Sequence, residues 1–200
     1  MNLEQRLKAL DFHFSNEEYE KLRGYSELLK TWGKTHNLSA KLDDEFINFN
    51  IIDSLYPLKF LGDFKNIADL GSGAGFPALI LAILLKKSNF TLFEPRLKRA
   101  SFLSFVKNKL DLENVEIVAK KVQDFSCKLS YDLLISRALS NTALLFKLTK
   151  HISDENSAYL FYKGTNLEEE LKNLEVKIKT YEIITSKNSE NRKYLYIKKR

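Results

Sequence analysis

Apolar side chains recur at helical spacing through the first 60 residues of the chain. Leu22, Leu29 and Trp32 share one face of a helix, and Ser15 and Glu18 precede them at the spacing of a capping box. The pattern predicts three helical segments, over residues 3–10, from residue 15 to 35–37, and over residues 45–55. We expect residues 1–60 to form a helical cap, with Trp32 in the core rather than stacked on a base.

From residue 66 onward, short apolar or β-branched runs alternate with helical stretches. The predicted strands cover residues 67–70, 90–94, 115–118, 131–136, 158–163, 181–185 and 194–198. The predicted helical stretches cover residues 77–85, 98–110, 122–125, 141–150 and 167–176. This alternation predicts a parallel, doubly wound α/β sheet, whereas the short polar loop 186–193 predicts that the last two strands pair as an antiparallel hairpin.

Seven strands with a C-terminal antiparallel hairpin are typical of the class I S-adenosylmethionine-dependent methyltransferase fold, and the hairpin distinguishes this sheet from a plain Rossmann sheet. The expected organisation is therefore the helical cap, residues 1–60, followed by an S-adenosylmethionine-binding methyltransferase domain, residues 61–200.

Composition narrows the class of protein further. The 200 residues are 44% hydrophobic, which excludes a disordered or fibrous chain. Cys127 is the single cysteine and is expected to be structural, and the three histidines are scattered, so we expect no metal site and a reducing, cytoplasmic setting. The longest apolar run, residues 76–85, is shorter than the roughly 20 residues that cross a bilayer, and the first residues lack a signal-peptide core. We expect a soluble monomer with no membrane partner.

The formal net charge is +6, and the excess of basic residues lies after residue 60. Clustered basic side chains attract polyanions, of which nucleic-acid backbones are the common case. The candidate RNA contacts are Arg96, Lys98, Arg99, Lys120 and Lys121. Charge alone does not separate this role from that of an ordinary solvated surface.

The segment NIADLGSGAGFPA, residues 66–78, carries the sharpest local motif. A buried strand leads into Gly71, Gly73 and Gly75, and Pro77 then opens a helix, so the backbone can turn tightly and a ligand can approach it closely. Glu94 ends the next predicted strand, where an acidic residue can bind a ribose diol. The alternative is a tight structural turn and an unrelated glutamate.

The glycine spacing indicates which class of cofactor the loop could bind. A dinucleotide loop requires a third glycine where this chain has Phe76, which disfavours a nicotinamide cofactor. S-adenosylmethionine has no pyrophosphate, so Asp69 and the glycine backbone would face its methionine part and Glu94 its ribose. The adenine would lie near Val122 and Gln123, after the third strand.

The fourth predicted strand ends in Ser136, Arg137 and Ala138. Ligands of such sheets gather at the carboxyl ends of the strands, where Arg137 could bind a base edge or a carboxylate, although a solvated arginine is the alternative. The chain has no N-P-P-Y motif there for amino-group methylation and no cysteine for attack on a pyrimidine ring.

Taken together, the motifs resemble those of a known family. They are NLSA (37–40), DSL (53–55), ADLGSGAGFPA (68–78), EPRLKRASFL (94–103), LENV (112–115), SRA (136–138) and KG (163–164). In this order and spacing they resemble the 16S ribosomal RNA guanine-N7 methyltransferase family, RsmG, formerly called glucose-inhibited division protein B. The resemblance implies methyl transfer from S-adenosylmethionine to N7 of one guanosine in 16S rRNA, on naked RNA or the small ribosomal subunit.

The resemblance also implies site residues. The cofactor contacts would be Gly71, Phe76, Val122, Gln123 and Arg137, with Glu94 at the family's acidic position. The chain departs from the family at Asn50, where histidine is usual, at Ala78, where glycine is common, and at Gln123, where glutamate is common.

Guanine N7 has a lone pair and no proton, so catalysis reduces to positioning and no general acid, base or metal is expected. We expect Arg137 and Lys163 to orient RNA or cofactor, and Asn37 and Asp53 to line the cleft.

Three rival functions remain open from the sequence. The chain could methylate a small molecule or a protein, which would not require RNA. It could be a nucleotide- or nicotinamide-binding oxidoreductase, which would bind nicotinamide cofactors and not S-adenosylhomocysteine. It could also be a non-catalytic RNA-binding protein that keeps the fold.

Overall fold

The computed structural model describes residues 1–36, 42–126, 130–137, 139–172, 181–186 and 189–198. The strands are β1 (Asn66–Leu70), β2 (Asn89–Phe93), β3 (Val115–Val118), β4 (Leu133–Arg137), β5 (Ala158–Lys163), β6 (Tyr181–Ser186) and β7 (Ser189–Lys198). They form one sheet of order β3-β2-β1-β4-β5-β7-β6. The first five strands pair in parallel, and β7 pairs antiparallel with both β5 and β6. The predicted mostly parallel sheet and terminal hairpin are confirmed.

The helices are α1 (Leu3–Ala9), α2 (Asn16–His36), α3 (Asp44–Leu55), α4 (Ala78–Leu84), α5 (Leu97–Lys109), α6 (Thr142–Thr149) and α7 (Leu167–Lys172). Their bounds agree with the predictions to within a few residues. Ser15 and Glu18 form the predicted capping interaction, in which the Ser15 amide donates to Glu18 at 2.7 Å and the Glu18 amide to the Ser15 hydroxyl at 3.3 Å. The NLSA segment 37–40, which includes Asn37, and the residues Cys127 and Ala138 lie outside the described residues.

The segment predicted as a loop before the last strand is largely strand. β7 begins at Ser189, five positions earlier than expected. The run SENRK is polar and resembles a loop, but it lies within β7, where Lys193 pairs with both β5 and β6 and Ser189 pairs with Ser186 of β6. The sequence prediction therefore placed the start of β7 too late.

Alternate residues of each strand point to opposite faces, and each face carries its own apolar core. On one face Ile67, Phe90 and Ile135 pack with side chains of α2, α3, α4 and α5. On the other, Leu70 and Leu134 pack with Leu145 of α6 and Leu167 of α7. The cap helices thus bury their apolar faces in the core of the first face of the sheet, while the division at residue 60 stays a prediction.

The chain reverses its direction of winding between β1 and β4, which are neighbours in the sheet. In doubly wound sheets, a crevice opens at the carboxyl ends of the two strands where this reversal occurs. The glycine loop follows β1 and Arg137 ends β4, so both lie at this crevice. No helix in the described part of the chain is long and apolar enough to cross a membrane.

Candidate functional site

The glycine loop turns through backbone conformations that side chains disfavour. Gly71, Gly73 and Gly75 have φ angles of 73°, 58° and 96°. At Gly73, a Cβ would meet no atom nearer than the Gly71 carbonyl oxygen at 3.8 Å, so the space beside this residue is open. Gly73 therefore combines a left-handed backbone, which favours glycine, with open space through which a ligand can approach the main chain.

Glu94 follows β2 and lies almost entirely buried, with 3% of its surface exposed. Its Oε2 accepts a hydrogen bond from the Gly73 amide at 2.9 Å, and its Oε1 accepts one from the Arg96 amide at 2.9 Å. Each carboxylate oxygen can accept a second hydrogen bond. Glu94 thus anchors the glycine loop and keeps acceptor capacity for a ligand hydroxyl.

Asp69 lies in β1, immediately before the loop, and is 1% exposed. Neither of its carboxylate oxygens has a hydrogen-bond partner among the described residues. Burial raises the pKa of this carboxyl to about 7, although the nearby Ser72 hydroxyl and the positive charge of Arg137 lower it. An unpartnered buried carboxylate is costly, and a cationic group of a ligand would relieve that cost.

Arg137, at the end of β4, is held by the cap. Its Nη1 donates to Asn50 Oδ1 at 2.6 Å and to Asp53 Oδ2 at 3.3 Å, both on α3. The guanidinium carbon lies 4.9 Å from the centre of the Phe76 ring in the glycine loop. Arg137 therefore links the cap to the glycine loop, because its planar guanidinium donates hydrogen bonds to α3 and stacks on Phe76.

Asp53 joins a second group of residues from β7. Tyr194 donates its hydroxyl to Asp53 Oδ1 at 2.9 Å, and Arg192 Nε lies 2.8 Å from the same oxygen. Burial raises the pKa of Tyr194, and the Asp53 carboxylate adds to the shift. Sequence analysis missed Arg192 and Tyr194, because the stretch that contains Arg192 was taken for a loop.

Tyr25 of α2 contacts the glycine loop from the cap. Its hydroxyl donates to the main-chain oxygen of Ala74 at 2.7 Å, and its ring packs edge-on against Phe76 with centroids 5.2 Å apart. Burial raises the pKa of Tyr25. The helical periodicity of α2 left the core position open between Tyr25 and Ser26, and the structure places Tyr25 in the core and identifies its partner.

The turn after β3 contains Val122 and Gln123, the two residues expected near the adenine. Val122 is buried and Gln123 is exposed, within a single 3-10 turn over Val122–Asp124. His151 Nε2 lies 3.0 Å from the main-chain oxygen of Val122 and donates to it. The turn therefore offers one apolar and one amide side chain, and its backbone is tied to the segment after α6.

The candidate RNA contacts lie in two different settings. Arg96, Lys98, Lys120 and Lys121 are exposed, and Arg99 is half-buried. Lys163 is engaged instead, since its ammonium lies 2.8 Å from Glu170 Oε1 and donates to the Ser140 carbonyl at 3.1 Å. Burial alone would raise the pKa of Glu170, but the hydrogen bonds from Lys163 and Thr142 outweigh it and hold that pKa below its usual value.

The structure thus brings together Asp69, Gly73, Phe76, Glu94 and Arg137 at the crevice. Val122 and Gln123 follow β3, two strands away from β1. Trp32 packs against Phe102 and Phe105, with ring centroids 5.7 and 5.1 Å apart, as expected for a residue of the core. The arrangement offers a ligand the buried carboxylate of Asp69, the carboxylate of Glu94, which can accept a hydrogen bond from a hydroxyl group, and the guanidinium of Arg137.

Comparisons with known proteins identify the relatives of this chain. Residues 18–194 match the model of the GidB family, rRNA small subunit methyltransferase G. A ribosomal RNA small subunit methyltransferase G of Aliarcobacter butzleri is 46% identical over 196 residues, 98% of both chains. One of Wolinella succinogenes is 41% identical over 163 residues, 82% of this chain and 84% of the relative.

Among solved structures, a SAM-dependent methyltransferase from Aquifex aeolicus superposes with a TM-score of 0.57 at 17% identity, covering 76% of this chain and 92% of the other. The predicted methyltransferase fold class is therefore confirmed. The family model matches most of the chain, and the Aliarcobacter relative matches it from end to end. This chain belongs to the GidB family, the rRNA small subunit methyltransferase G proteins.

Proposed function

We propose that this protein transfers a methyl group from S-adenosylmethionine to N7 of a guanosine in small-subunit ribosomal RNA. The observation that carries the proposal is the unpartnered, buried Asp69 beside an open glycine loop, in a chain of the methyltransferase G family. A nucleoside cofactor with a cationic end would satisfy that carboxylate.

The residues at the crevice offer the chemistry that S-adenosylmethionine would need. Asp69 would pair with the ammonium of the methionine part, and Arg137 could donate to its carboxylate. Glu94 would accept from a ribose hydroxyl while it holds the Gly73 amide. Val122 would pack on the adenine, and the Gln123 side-chain oxygen could accept from the adenine amine in place of the family's glutamate.

When bound, S-adenosylmethionine supplies an electrophilic methyl group on a sulfonium centre. The protein's own residues then need only to position the two reactants and exclude competing ones, because guanine N7 carries a lone pair and no proton to remove. Arg137, fixed between Asn50 and Phe76, is suited to hold a base edge or the cofactor carboxylate. No residue of this chain is assigned a role as general base.

The RNA would approach the carboxyl edge of the sheet. Arg96 and Lys98, exposed beside the start of α5, form no ion pair within the described ranges and are suited to contact phosphates. Lys163 could take part only if an RNA phosphate replaced Glu170 as the partner of its ammonium.

The decisive experiment offers methyl-labelled S-adenosylmethionine together with small ribosomal subunits from a strain that lacks this enzyme. Label recovered as 7-methylguanosine at a single site supports the proposal, and naked 16S rRNA run in parallel tells which form is the substrate. If S-adenosylhomocysteine binds and no label enters RNA, the proposal fails and a small-molecule or protein acceptor replaces it. Light scattering of the same sample tests the expected monomer.

A further inference from the structure

The Ala74–Gly75 peptide joins Ala74 to Gly75, and the glycines on either side of Ala74, Gly73 and Gly75, both have left-handed backbones. These glycines give the stretch unusual conformational freedom, so the Ala74–Gly75 peptide plane could rotate. In the structure both sides of this plane are fixed. The Ala74 oxygen accepts from the Tyr25 hydroxyl at 2.7 Å, and the Gly75 amide donates to the Ser72 oxygen at 2.7 Å.

The two hydrogen bonds differ in origin. The one from Gly75 to Ser72 is local to the loop and belongs to the turn itself. The other comes from Tyr25 in α2, separated from Ala74 by 49 positions, and its phenol is fully buried. The Tyr25 ring also packs against Phe76, the residue on which Arg137 stacks.

We propose that Tyr25 is a positioning residue of the cofactor site, which makes the helical cap a working part of that site. Its hydroxyl holds the Ala74–Gly75 peptide in one orientation and so keeps Gly73, whose amide binds Glu94, in the open conformation that a cofactor requires. This inference rests on the proposed function, because it assigns Tyr25 to the loop that would bind S-adenosylmethionine.

Tyr25→Phe removes the hydroxyl and keeps the ring. Tyr19→Phe is its matched control, since Tyr19 is also buried in α2 and donates its hydroxyl to a main-chain oxygen, that of Phe12 at 3.4 Å, but does so away from the loop. Calorimetry with S-adenosylhomocysteine should show binding weakened about tenfold by Tyr25→Phe and unchanged by Tyr19→Phe.

Hydrogen exchange without ligand gives a second readout. The amides of Gly73 and Gly75 should exchange about tenfold faster in Tyr25→Phe, while the amides of β1 and β4 keep their rates. A purely structural tyrosine would instead raise exchange across the whole core.

Equal affinities for the two variants, or a uniform rise in exchange, would overturn the inference. Failure of the unmodified protein to bind S-adenosylhomocysteine would defeat the proposed function itself. In that case the exchange rates, which need no ligand, still decide whether Tyr25 holds the loop.

Discussion

Arg137 Nη1 donates a 2.6 Å hydrogen bond to the side-chain oxygen of Asn50, a residue 87 positions earlier in the chain. The family resemblance drawn from the sequence implies a histidine at the position of Asn50, whose amide oxygen is here the acceptor for the guanidinium. The Asn50 amide nitrogen donates back to the Phe46 oxygen at 2.7 Å, which fixes the amide orientation. The cap therefore sets the position of an arginine that belongs to the sheet.

Replacing Arg137 by alanine or by lysine should distinguish the effect of its positive charge from that of its planar guanidinium. Arg137→Ala should lower kcat/KM by about 100-fold, and Arg137→Lys should recover less than a tenth of that loss, because an ammonium cannot both stack on Phe76 and donate in the same plane. Methyl transfer to small subunits and S-adenosylhomocysteine affinity measure the effect. Unchanged values of both in Arg137→Ala would show that Arg137 takes no part in the site.

Asp69→Asn should stabilise the free protein and weaken its cofactor binding. The substitution removes a buried carboxylate that no described group partners, so at pH 8 we expect a gain on the order of 1–2 kcal/mol in the free energy of unfolding. Loss of the anion should weaken S-adenosylhomocysteine binding by about 100-fold. Thermal unfolding and calorimetry test the two effects, and a destabilised variant that binds normally would contradict both.

The same carboxyl should make cofactor affinity depend on pH. Asp69 is protonated below about pH 7 in the free protein, and pairing with an ammonium requires its ionised form. Affinity for S-adenosylhomocysteine should fall about tenfold per pH unit below the pKa and level off above it, whereas Asp69→Asn should give a flat profile.

The same group should make the stability of the free protein fall as pH rises, whereas cofactor affinity should rise. The pKa of Asp69 lies near 7 when folded, against an ordinary value of 3.8. The folded state therefore binds the proton more tightly, and this group's contribution to stability is lost as pH rises from about 4 through 7. Denaturant unfolding of the parent and Asp69→Asn proteins across this range checks the sign.

Glu94→Gln should damage the site by reversing one hydrogen bond. The glutamine amide can accept from only one of the Gly73 and Arg96 amides and presents a donor to the other. We expect about tenfold weaker S-adenosylhomocysteine binding. If Glu94 binds the ribose, the parent protein should also prefer this ligand over its 2′,3′-dideoxy analogue, and Glu94→Gln should lose that preference.

Arg96 and Lys98 should govern the salt dependence of RNA binding. The double substitution Arg96→Gln, Lys98→Gln should reduce the slope of log affinity against log salt by about 1.4, which is two phosphate contacts on single-stranded RNA. S-adenosylhomocysteine affinity should not change. The double substitution Lys86→Gln, Lys87→Gln is the control, because it also removes two exposed charges and lies at the amino-end edge of the sheet, where Lys86 pairs with Glu17. An equal loss of slope in both variants would mean that these side chains act only through net charge.

The sequence predicted the elements well because each is encoded locally. Apolar periodicity located α2 and the sheet strands, and the glycine spacing located the loop at the crevice. The start of β7 was missed because SENRK has a loop-like composition, and it is strand because it continues β7, which pairs with both β5 and β6. A prediction from local pattern has no access to such pairing.

The contacts inside the site were harder to predict than its members. Arg137 and Asp53 were both expected at the cleft, but their ion pair joins residues 84 positions apart and depends on how α3 docks on the sheet. Lys163 was expected to orient RNA or cofactor, and its pairing with Glu170 could be predicted only from the position of α7. The roles of the individual site residues stay predictions until they are tested.

The insertion of β7 between β5 and β6 bears on the time at which the site is completed during synthesis. Asp53 is made early, yet its partner Tyr194 follows 141 positions later. A nascent chain that ends after β5 already contains the glycine loop and Arg137, but Asp53 still lacks Tyr194 and Arg192. Contacts this distant in sequence form late. Translation thus delivers the glycine loop, Glu94 and Arg137 before Arg192 and Tyr194, so the contacts that hold Asp53 are completed only when β7 has been synthesised.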